Sequence, residues 1–191
     1  EYFLEAATKV LNKINNVRFV MSGNGDLFPR MITRMAELDI ADRFHFTGFL
    51  KGAEVEKIYA MSDLYVMPSV SEPFGISPFE ALLYDVPIII SKQSGASEII
   101  SHAYTVDFWD TEKLANAIIA MLENEELRET AVTMCREDMK TMSWDRAGRK
   151  ICGIYQSLCA VQAGQTLTID DVEIPETLAL KAWQYTLKQA I

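Results

Sequence analysis

Residues 69–82 read SVSEPFGISPFEAL, and they join a strand pattern to a helix pattern. The apolar run Leu64–Met67 lies before this stretch and predicts a buried strand. Phe79–Leu83 lies at its end and predicts the start of a helix. Ser77 is predicted to cap that helix, with Pro78 at the first helical position, where its missing N–H costs nothing. The stretch therefore predicts a strand, a loop rich in Gly and Pro, and a helix N-terminus.

Two carboxylates, Glu72 and Glu80, flank this loop with seven residues between them. Ligands of open α/β sheets bind beyond the carboxyl ends of strands, and a helix N-terminus attracts phosphate through its unpaired N–H groups. Carboxylates accept paired hydrogen bonds from sugar hydroxyls. The stretch therefore indicates a nucleotide-sugar site. A second interpretation stays open at this point, in which Glu72 only ends a strand and Glu80 favours the helix dipole.

The rest of the chain alternates between the two kinds of pattern. Strand patterns occupy residues 17–21, 43–47, 64–67, 86–91 and 104–106. Helix patterns occupy residues 2–14, 27–38, 54–61, 111–123, 125–140 and 143–161, and a short helix is predicted after Ser94. Strands that alternate with helices across short loops predict an α/β fold with a doubly wound parallel sheet covered on both faces.

Composition excludes several classes of partner. The net charge of −9 argues against a nucleic acid or an anionic membrane surface, and 49% hydrophobic residues suffice for a sizeable core. No apolar run reaches the roughly 20 residues that a transmembrane helix needs. The three cysteines include no CxxC pair, and neither histidine has a partner at metal-ligand spacing, so we predict no metal site. Reduced thiols and the lack of a secretory signal indicate a cytoplasmic protein.

The 191 residues are predicted to divide unequally. Residues 1–163 are assigned to one nucleotide-sugar binding domain, and residues 164–191 to a C-terminal tail of unknown role. Because Glu1 has no Met before it and a helix pattern begins at once, we expect the chain to be a fragment of a longer protein.

Four segments carry a family resemblance: RFHFTGFL, YAMSDLYVMPSVSEPFGISPFEALLYDVPIIIS, SGASEII and DTEKLANAI. They resemble the C-terminal donor-binding domain of retaining GT-B glycosyltransferases of the family 4 type, the glycosyl transferases group 1. Glu72 and Glu80 fit the E-x7-E signature of that family, embedded here in EPFGISPFE. The resemblance covers roughly residues 1–160 and implies a Rossmann-like doubly wound sheet.

The resemblance also implies roles for individual residues. Glu80 is expected to accept hydrogen bonds from the ribose hydroxyls of a nucleotide diphosphate, and Glu72 to contact hydroxyls of the donor sugar. The backbone N–H groups of Phe74, Gly75 and Ile76 are expected to face the sugar and the phosphates. A glycine at position 75 suits close approach of the backbone to a ligand.

Two further pairs of residues match segments near the donor in this family. Gly23 and Gly25 match a glycine loop that leaves room for the donor, whereas a plain tight turn is the structural alternative. Phe49 and Leu50 match the segment beside the base, with core packing as the alternative. Both alternatives stay open on the sequence.

The resemblance places important groups upstream of Glu1. An Arg and a Lys that bind the diphosphate, and the N-terminal domain that binds the acceptor, precede the corresponding position in the family. The chain is therefore interpreted as the donor-binding half of a retaining glycosyltransferase that uses a UDP-, GDP- or ADP-sugar, needs no further cofactor and is inactive alone. Peripheral membrane association through the upstream domain is left open.

Two other functions compete with this interpretation. A nucleotide-sugar 2-epimerase has the same fold, but it would need further acid and base residues that the chain does not show. A non-catalytic GT-B-like scaffold module is the second, and the intact Glu72 and Glu80 argue against it.

Overall fold

The computed structural model describes residues 1–140 and 142–162, with side chains up to residue 158. The strands are β1 (Phe19–Ser22), β2 (Phe44–Gly48), β3 (Tyr65–Met67), β4 (Ile88–Ser91) and β5 (Tyr104–Val106). The helices are α1 (Tyr2–Leu11), α2 (Phe28–Glu37), α3 (Ala53–Ala60), α4 (Ser77–Leu83), α5 (Thr111–Glu123), α6 (Glu125–Met139) and α7 (Trp144–Gln162). Single 3₁₀ turns occupy Ala41–Arg43 and Gly95–Glu98.

The chain divides into a compact unit, Glu1–Met139, and a second unit that begins at Lys140. The described residues of the second unit include helix α7, whose first turn is capped by the Ser143 hydroxyl accepting from the Arg146 amide at 3.1 Å. The tail predicted for residues 164–191, and the predicted boundary at residue 163, lie outside the described residues. That division of the chain stays a prediction.

Helices cover both faces of the strands in the first unit. On one face, α1 and α5 enclose a core that contains Ile89 of β4. On the other face, α3, α4 and α6 enclose a core that contains Ile88 and Ile90 of the same strand. All four residues of β4 are therefore buried, as expected for a central strand of a parallel sheet. The predicted α/β architecture, with parallel strands between two helical layers, is confirmed.

Within the described residues, the strands form two parallel sheets rather than the single sheet that the sequence predicts. One sheet contains β1 and β2, and the other has the order β3-β4-β5. The register pairs Phe19 with Phe44 in the first sheet, and Tyr65 with Ile88 in the second. Sequence patterns predict which residues are strands, whereas hydrogen bonding between strands far apart in the chain decides how many sheets they form.

An arginine on α6 holds the C-terminal end of α4. The Arg136 guanidinium donates to the carbonyl oxygens of Leu82 at 2.9 Å and Leu83 at 3.1 Å, and it pairs with Asp85 at 2.5 Å. The last carbonyls of a helix lack partners within the helix. A cation there also interacts favourably with the negative end of the helix dipole. This contact fixes α4, which carries Glu80, against α6 in the same helical layer.

Replacing Arg136 by methionine should lower the free energy of unfolding by about 1–2 kcal/mol, because the apolar stem stays while the helix carbonyls lose their donors. The free energy of unfolding of Arg136→Lys should lie between those of the wild type and the methionine variant, since lysine keeps the charge but donates from a single nitrogen. Urea unfolding of the three proteins measures the difference. Equal midpoints for all three would contradict a stabilising role for this contact.

Candidate functional site

The loop between β3 and α4 lies at the carboxyl end of β3 and carries Glu72. We call residues 71–76 the Glu72 loop. Its backbone is held by the loop that follows β4, because the Gly95 N–H donates to the Glu72 carbonyl oxygen at 2.9 Å. Ser94, only 2% exposed, adds a weak hydrogen bond from its hydroxyl to the Phe74 carbonyl oxygen at 3.4 Å. The ends of two adjacent strands therefore meet at the predicted site.

Gly75 adopts a backbone conformation that favours glycine, with φ at +79°. A Cβ at this position would lie 3.0 Å from the Met67 Cε and 3.1 Å from the Glu72 Cγ. The sequence predicted a glycine that admits a ligand, and the structure adds a second reason for it. A side chain here would press on the stem of Glu72 itself.

Glu80 lies in the first turn of α4 and is positioned by a tyrosine from α3. The hydroxyl of Tyr59 donates to the Glu80 Oε2 at 3.1 Å, and the Tyr59 side chain is 8% exposed. Burial, followed by the proximity of Tyr65 and of Glu80, raises the pKa of the Tyr59 hydroxyl. The hydroxyl therefore stays protonated and acts as a donor to the carboxylate across the physiological pH range.

The charges of both glutamates act on the same tyrosine, Tyr65 of β3. Burial is the main cause that raises the pKa of the Tyr65 hydroxyl, and the charges of Glu80 and Glu72 raise it further, against a hydrogen bond to Ser77 that lowers it. Neither glutamate is buried, and both are partly exposed. Both carboxylates therefore remain accessible to a ligand.

The Glu72 loop also presents backbone donors. Within residues 1–140 and 142–162, the amides of Gly75 and Ile76 donate to no protein acceptor. The Phe74 amide differs, since it donates to the Glu72 Oε1 at 3.4 Å, a distance at which a hydrogen bond is weak. Two of the three amides singled out from the sequence are thus open to a ligand, and the third faces the carboxylate of Glu72.

The Phe74 and Ile76 side chains are not core residues. Phe74 stacks on Phe79 with ring centroids 5.2 Å apart and leaves 38% of its surface exposed. Ile76 is 67% exposed. The backbone positions of this loop, rather than its apolar side chains, are therefore the groups that the fold holds in place.

The other predicted residues lie at the carboxyl ends of β1 and β2, in the smaller sheet. Gly23 has φ at +122° and donates from its amide to the Gly48 carbonyl oxygen at 2.8 Å, which ties the two loops together. A Cβ at Gly23 or at Gly25 would meet nothing within 4 Å, so the space beside both is open. Phe49 is 72% exposed, which rules out core packing for it, while Leu50 is half-buried.

One detail of the predicted helix start is wrong. Ser77 does not cap α4 with its side chain, because the helix begins at Ser77 and the N-cap residue is Ile76. The Ser77 hydroxyl accepts instead from the Tyr65 hydroxyl at 2.7 Å. Pro78 accordingly occupies the second position of the helix. The Tyr65 hydroxyl therefore bonds to the Ser77 oxygen that capping rules assign to the amides of the first helical turn.

The sequence missed three residues that support the site: Tyr59, Ser94 and Gly95. Tyr59 has a spacing typical of a core position, and nothing in its neighbours indicates a contact with Glu80. Ser94 and Gly95 lie in a segment that resembles the family, but the sequence predicts only the start of a short helix there. The Ser94 hydroxyl does cap that turn by accepting from the Ala96 amide at 3.3 Å.

In the described ranges, no three His, Cys, Asp or Glu side chains are grouped so that they could hold a metal ion. Over the same residues, no helix has both the length and the apolar character required to cross a bilayer.

Comparison with known proteins identifies the family. The chain is 29% identical over 161 residues to an uncharacterized glycosyltransferase of Methanocaldococcus jannaschii, covering 82% of the chain and 41% of that relative. It is 30% identical over 139 residues to N-acetyl-alpha-D-glucosaminyl L-malate synthase of Bacillus anthracis, covering 71% of the chain and 36% of that enzyme. The chain thus spans only 36% to 41% of the length of these curated relatives.

A solved structure with the same fold is that of Anabaena HepE, which was crystallised in complex with UDP and glucose. It aligns with a TM-score of 0.70 and 19% identity over 81% of this chain and 44% of HepE. At this identity the likeness concerns the fold, which is that of a GT-B glycosyltransferase domain. The family model described as "Glycosyl transferases group 1" matches residues 1–137. The chain therefore belongs to the glycosyl transferases group 1 family.

Proposed function

We propose that this chain is the donor-binding half of a retaining glycosyltransferase, which transfers a sugar from a nucleotide-diphosphate donor to an acceptor hydroxyl. The observation that carries the proposal is that Glu72 and Glu80, both partly exposed, flank the loop between β3 and α4, beside two amides that donate to no acceptor among the described residues. Family membership supports sugar transfer, and the complex of HepE with UDP and glucose supports a nucleotide-sugar donor.

Each group in the site has a distinct part in this proposal. Glu80, held by Tyr59, accepts hydrogen bonds from the two ribose hydroxyls. Glu72 turns from the Phe74 amide to the hydroxyls of the donor sugar. The amides of Gly75 and Ile76 donate to the sugar or the phosphates, as backbone N–H groups do at many phosphate sites.

The reaction follows from these positions. The bond between the anomeric carbon and the diphosphate breaks through an oxocarbenium-like state. The acceptor hydroxyl attacks from the face that the diphosphate leaves, and its proton passes to the departing diphosphate oxygen. Amides and upstream cations stabilise the negative charge that develops on the diphosphate. Glu72 and Glu80 hold the donor in the reactive orientation and form no covalent intermediate. The acceptor is bound by the remainder of the longer protein, closing on this half.

A titration tests whether the site binds a nucleotide. The 191-residue chain, labelled with ¹⁵N, should respond weakly to millimolar UDP, GDP or ADP, with shifts at the amides of Phe74, Gly75 and Ile76. The nucleotide that shifts them at the lowest concentration identifies the base. The corresponding nucleosides serve as controls for the diphosphate contribution. If none of the three diphosphates changes the spectrum, the scaffold function replaces donor binding.

Replacing Tyr59 by phenylalanine should raise the KM for the donor about fivefold in the full-length enzyme and leave kcat within twofold of the original value. The ring and its packing stay, while the Glu80 carboxylate loses the hydroxyl that fixes it by a hydrogen bond. We expect this loss to weaken binding of the nucleotide sugar by about 1 kcal/mol. Tyr84→Phe is the matched control, because Tyr84 stacks on Tyr59 with ring centroids 5.9 Å apart. If Tyr59→Phe leaves the KM unchanged, or if both variants change it equally, the Tyr59 hydroxyl does not position Glu80 for binding.

A further inference from the structure

The loop that follows β1 contains the single Asn-Gly pair of the sequence, Asn24 and Gly25. Both residues are exposed. The Asn24 side chain folds back on the backbone, where its Oδ1 accepts from the Gly25 amide at 2.9 Å. A C=O bond is about 1.2 Å long, so the Asn24 Cγ lies within roughly 4 Å of the Gly25 nitrogen. The fold therefore places a backbone nitrogen beside the carbonyl carbon of a side-chain amide.

The Gly25 nitrogen is accessible for a reaction with this carbon. Among the described residues, its N–H donates to no acceptor other than the Asn24 side chain. Glycine has no Cβ, and a Cβ at this position would meet nothing within 4 Å, so no side chain shields the nitrogen. The Gly25 carbonyl oxygen accepts from the Phe28 amide at 3.0 Å, which holds the glycine in place ahead of α2. The two reacting groups are thus both exposed and positioned.

Asn116 of α5 provides a contrast within the same chain. Its side chain is also exposed, but the amide that follows it, that of Ala117, lies inside the helix and belongs to the helical hydrogen-bond ladder. The Cβ of Ala117 also hinders approach to that nitrogen, as glycine does not. Attack on the Asn116 side chain would break the helix locally, so Asn116 serves as an internal reference.

We propose that Asn24 is a modification site, at which the side chain loses ammonia spontaneously and becomes acidic. Hydroxide takes the proton of the Gly25 N–H, and the nitrogen attacks the Asn24 Cγ. The new C–N bond closes a succinimide ring, while the bond to the side-chain nitrogen breaks and ammonia leaves with a proton from water. Another water opens the ring at either carbonyl carbon, which yields aspartate or isoaspartate. The net change consumes one water, releases one ammonia and involves no oxidation.

The modification adds a negative charge to the loop at the carboxyl end of β1. Asp26 already makes this loop acidic, and isoaspartate also lengthens its backbone by one carbon. Under the proposed function, on which this consequence rests, the loop leaves room for a donor that carries a diphosphate. Like charges repel, so donor binding should weaken as the protein ages. The deamidation itself does not depend on that function.

Peptide mass spectrometry of the 191-residue chain tests the reaction. In warm, mildly alkaline buffer, the peptide that contains Asn24 should convert to the mass of the acid, and an isoaspartyl methyltransferase should methylate the aged chain. The rate at Asn24 should exceed that at Asn116 by at least about 10-fold, because only Gly25 leaves the nitrogen unhindered and outside a helix. The rate should increase with pH, since the attacking nitrogen must lose its proton.

Two variants separate this chemistry from general damage. Gly25→Ala should slow the reaction by at least about 10-fold through its Cβ, and the free space around that Cβ should preserve the fold. Asn24→Gln should abolish the reaction, because the longer side chain must close a larger ring. The wild-type chain unfolded in urea gives the rate without the fold. The folded chain should react at least as fast, because its two reacting groups are held together.

A folded chain that stays unmodified at Asn24 while the chain in urea deamidates would overturn the proposal, because the fold would then protect this residue. Equal rates at Asn24 and Asn116, or in the wild type and Gly25→Ala, would overturn it as well. The effect on binding is measured separately in the full-length enzyme, where Asn24→Asp should raise the Kd for the donor roughly 10-fold relative to Asn24→Gln. Equal Kd values would refute this consequence, whereas a wild-type enzyme that binds no donor would refute the proposed function instead.

Discussion

Glu80→Ala in the full-length enzyme is expected to raise the Kd and KM for the nucleotide-sugar donor roughly 100-fold. Under the proposed function, Glu80 accepts from two ribose hydroxyls, and each hydrogen bond to a charged group contributes about 1.5–3 kcal/mol. Loss of both at the lower figure is about 3 kcal/mol, or two orders of magnitude in affinity. Calorimetric titration of the donor and steady-state kinetics measure the two quantities.

Glu72 should respond differently, which separates the two roles. Glu72→Ala is expected to lower kcat more than donor binding, because a contact to the transferred sugar matters most as the sugar distorts in the transition state. Glu54→Ala, an exposed change on α3, is the control with unaltered kinetics. Wild-type transfer rates in both the Glu80 and the Glu72 variants would contradict the assignments of both residues.

The second large effect is expected at Gly95, where Gly95→Ala should destabilise the Glu1–Met139 unit by about 3 kcal/mol and lower the thermal midpoint by roughly 10 °C. A Cβ here would lie 2.1 Å from the Pro73 carbonyl oxygen and 3.2 Å from the Phe74 Cα. These neighbours are backbone atoms, so the whole Glu72 loop must shift. Donor binding should therefore weaken in parallel with stability.

Gly25→Ala provides the matched control for stability. A Cβ at Gly25 would meet nothing within 4 Å, so we expect a change within about 0.5 kcal/mol. Calorimetric melting of the three proteins makes the comparison. A Gly95→Ala protein that melts with the wild type would show that the loops after β3 and β4 are not packed as tightly as their atoms indicate.

Much of the fold is predictable from local patterns. The bounds predicted for β5 and α5, Tyr104–Val106 and Thr111–Glu123, are the observed ones. The N-cap of α5, Asp110, accepts from the Lys113 amide at 2.9 Å, as helix-capping rules lead one to expect. Such elements are predictable because the side-chain periodicity, the capping residue and the composition of one short segment all favour the same structure.

Other features depend on residues that are distant in sequence. The contact of Tyr59 with Glu80 spans 21 residues, and the hydroxyl of Tyr65 takes the Ser77 oxygen that capping rules assign to the helix. The need for glycine at position 95 arises from Pro73, on a neighbouring strand end. No local pattern encodes these partners, because each is chosen by how strands and helices pack.

The sequence alone determined the order of strands and helices, the parallel α/β class and the loop that carries Glu72 and Glu80, since these follow from side-chain periodicity and from the backbone preferences of Gly and Pro. The tertiary structure decided that the described strands lie in two parallel sheets, that the charges of both carboxylates act on Tyr65, and that the loop after β4 supports the Glu72 loop. These features depend on hydrogen bonds and close packing between segments that meet only when the chain is folded.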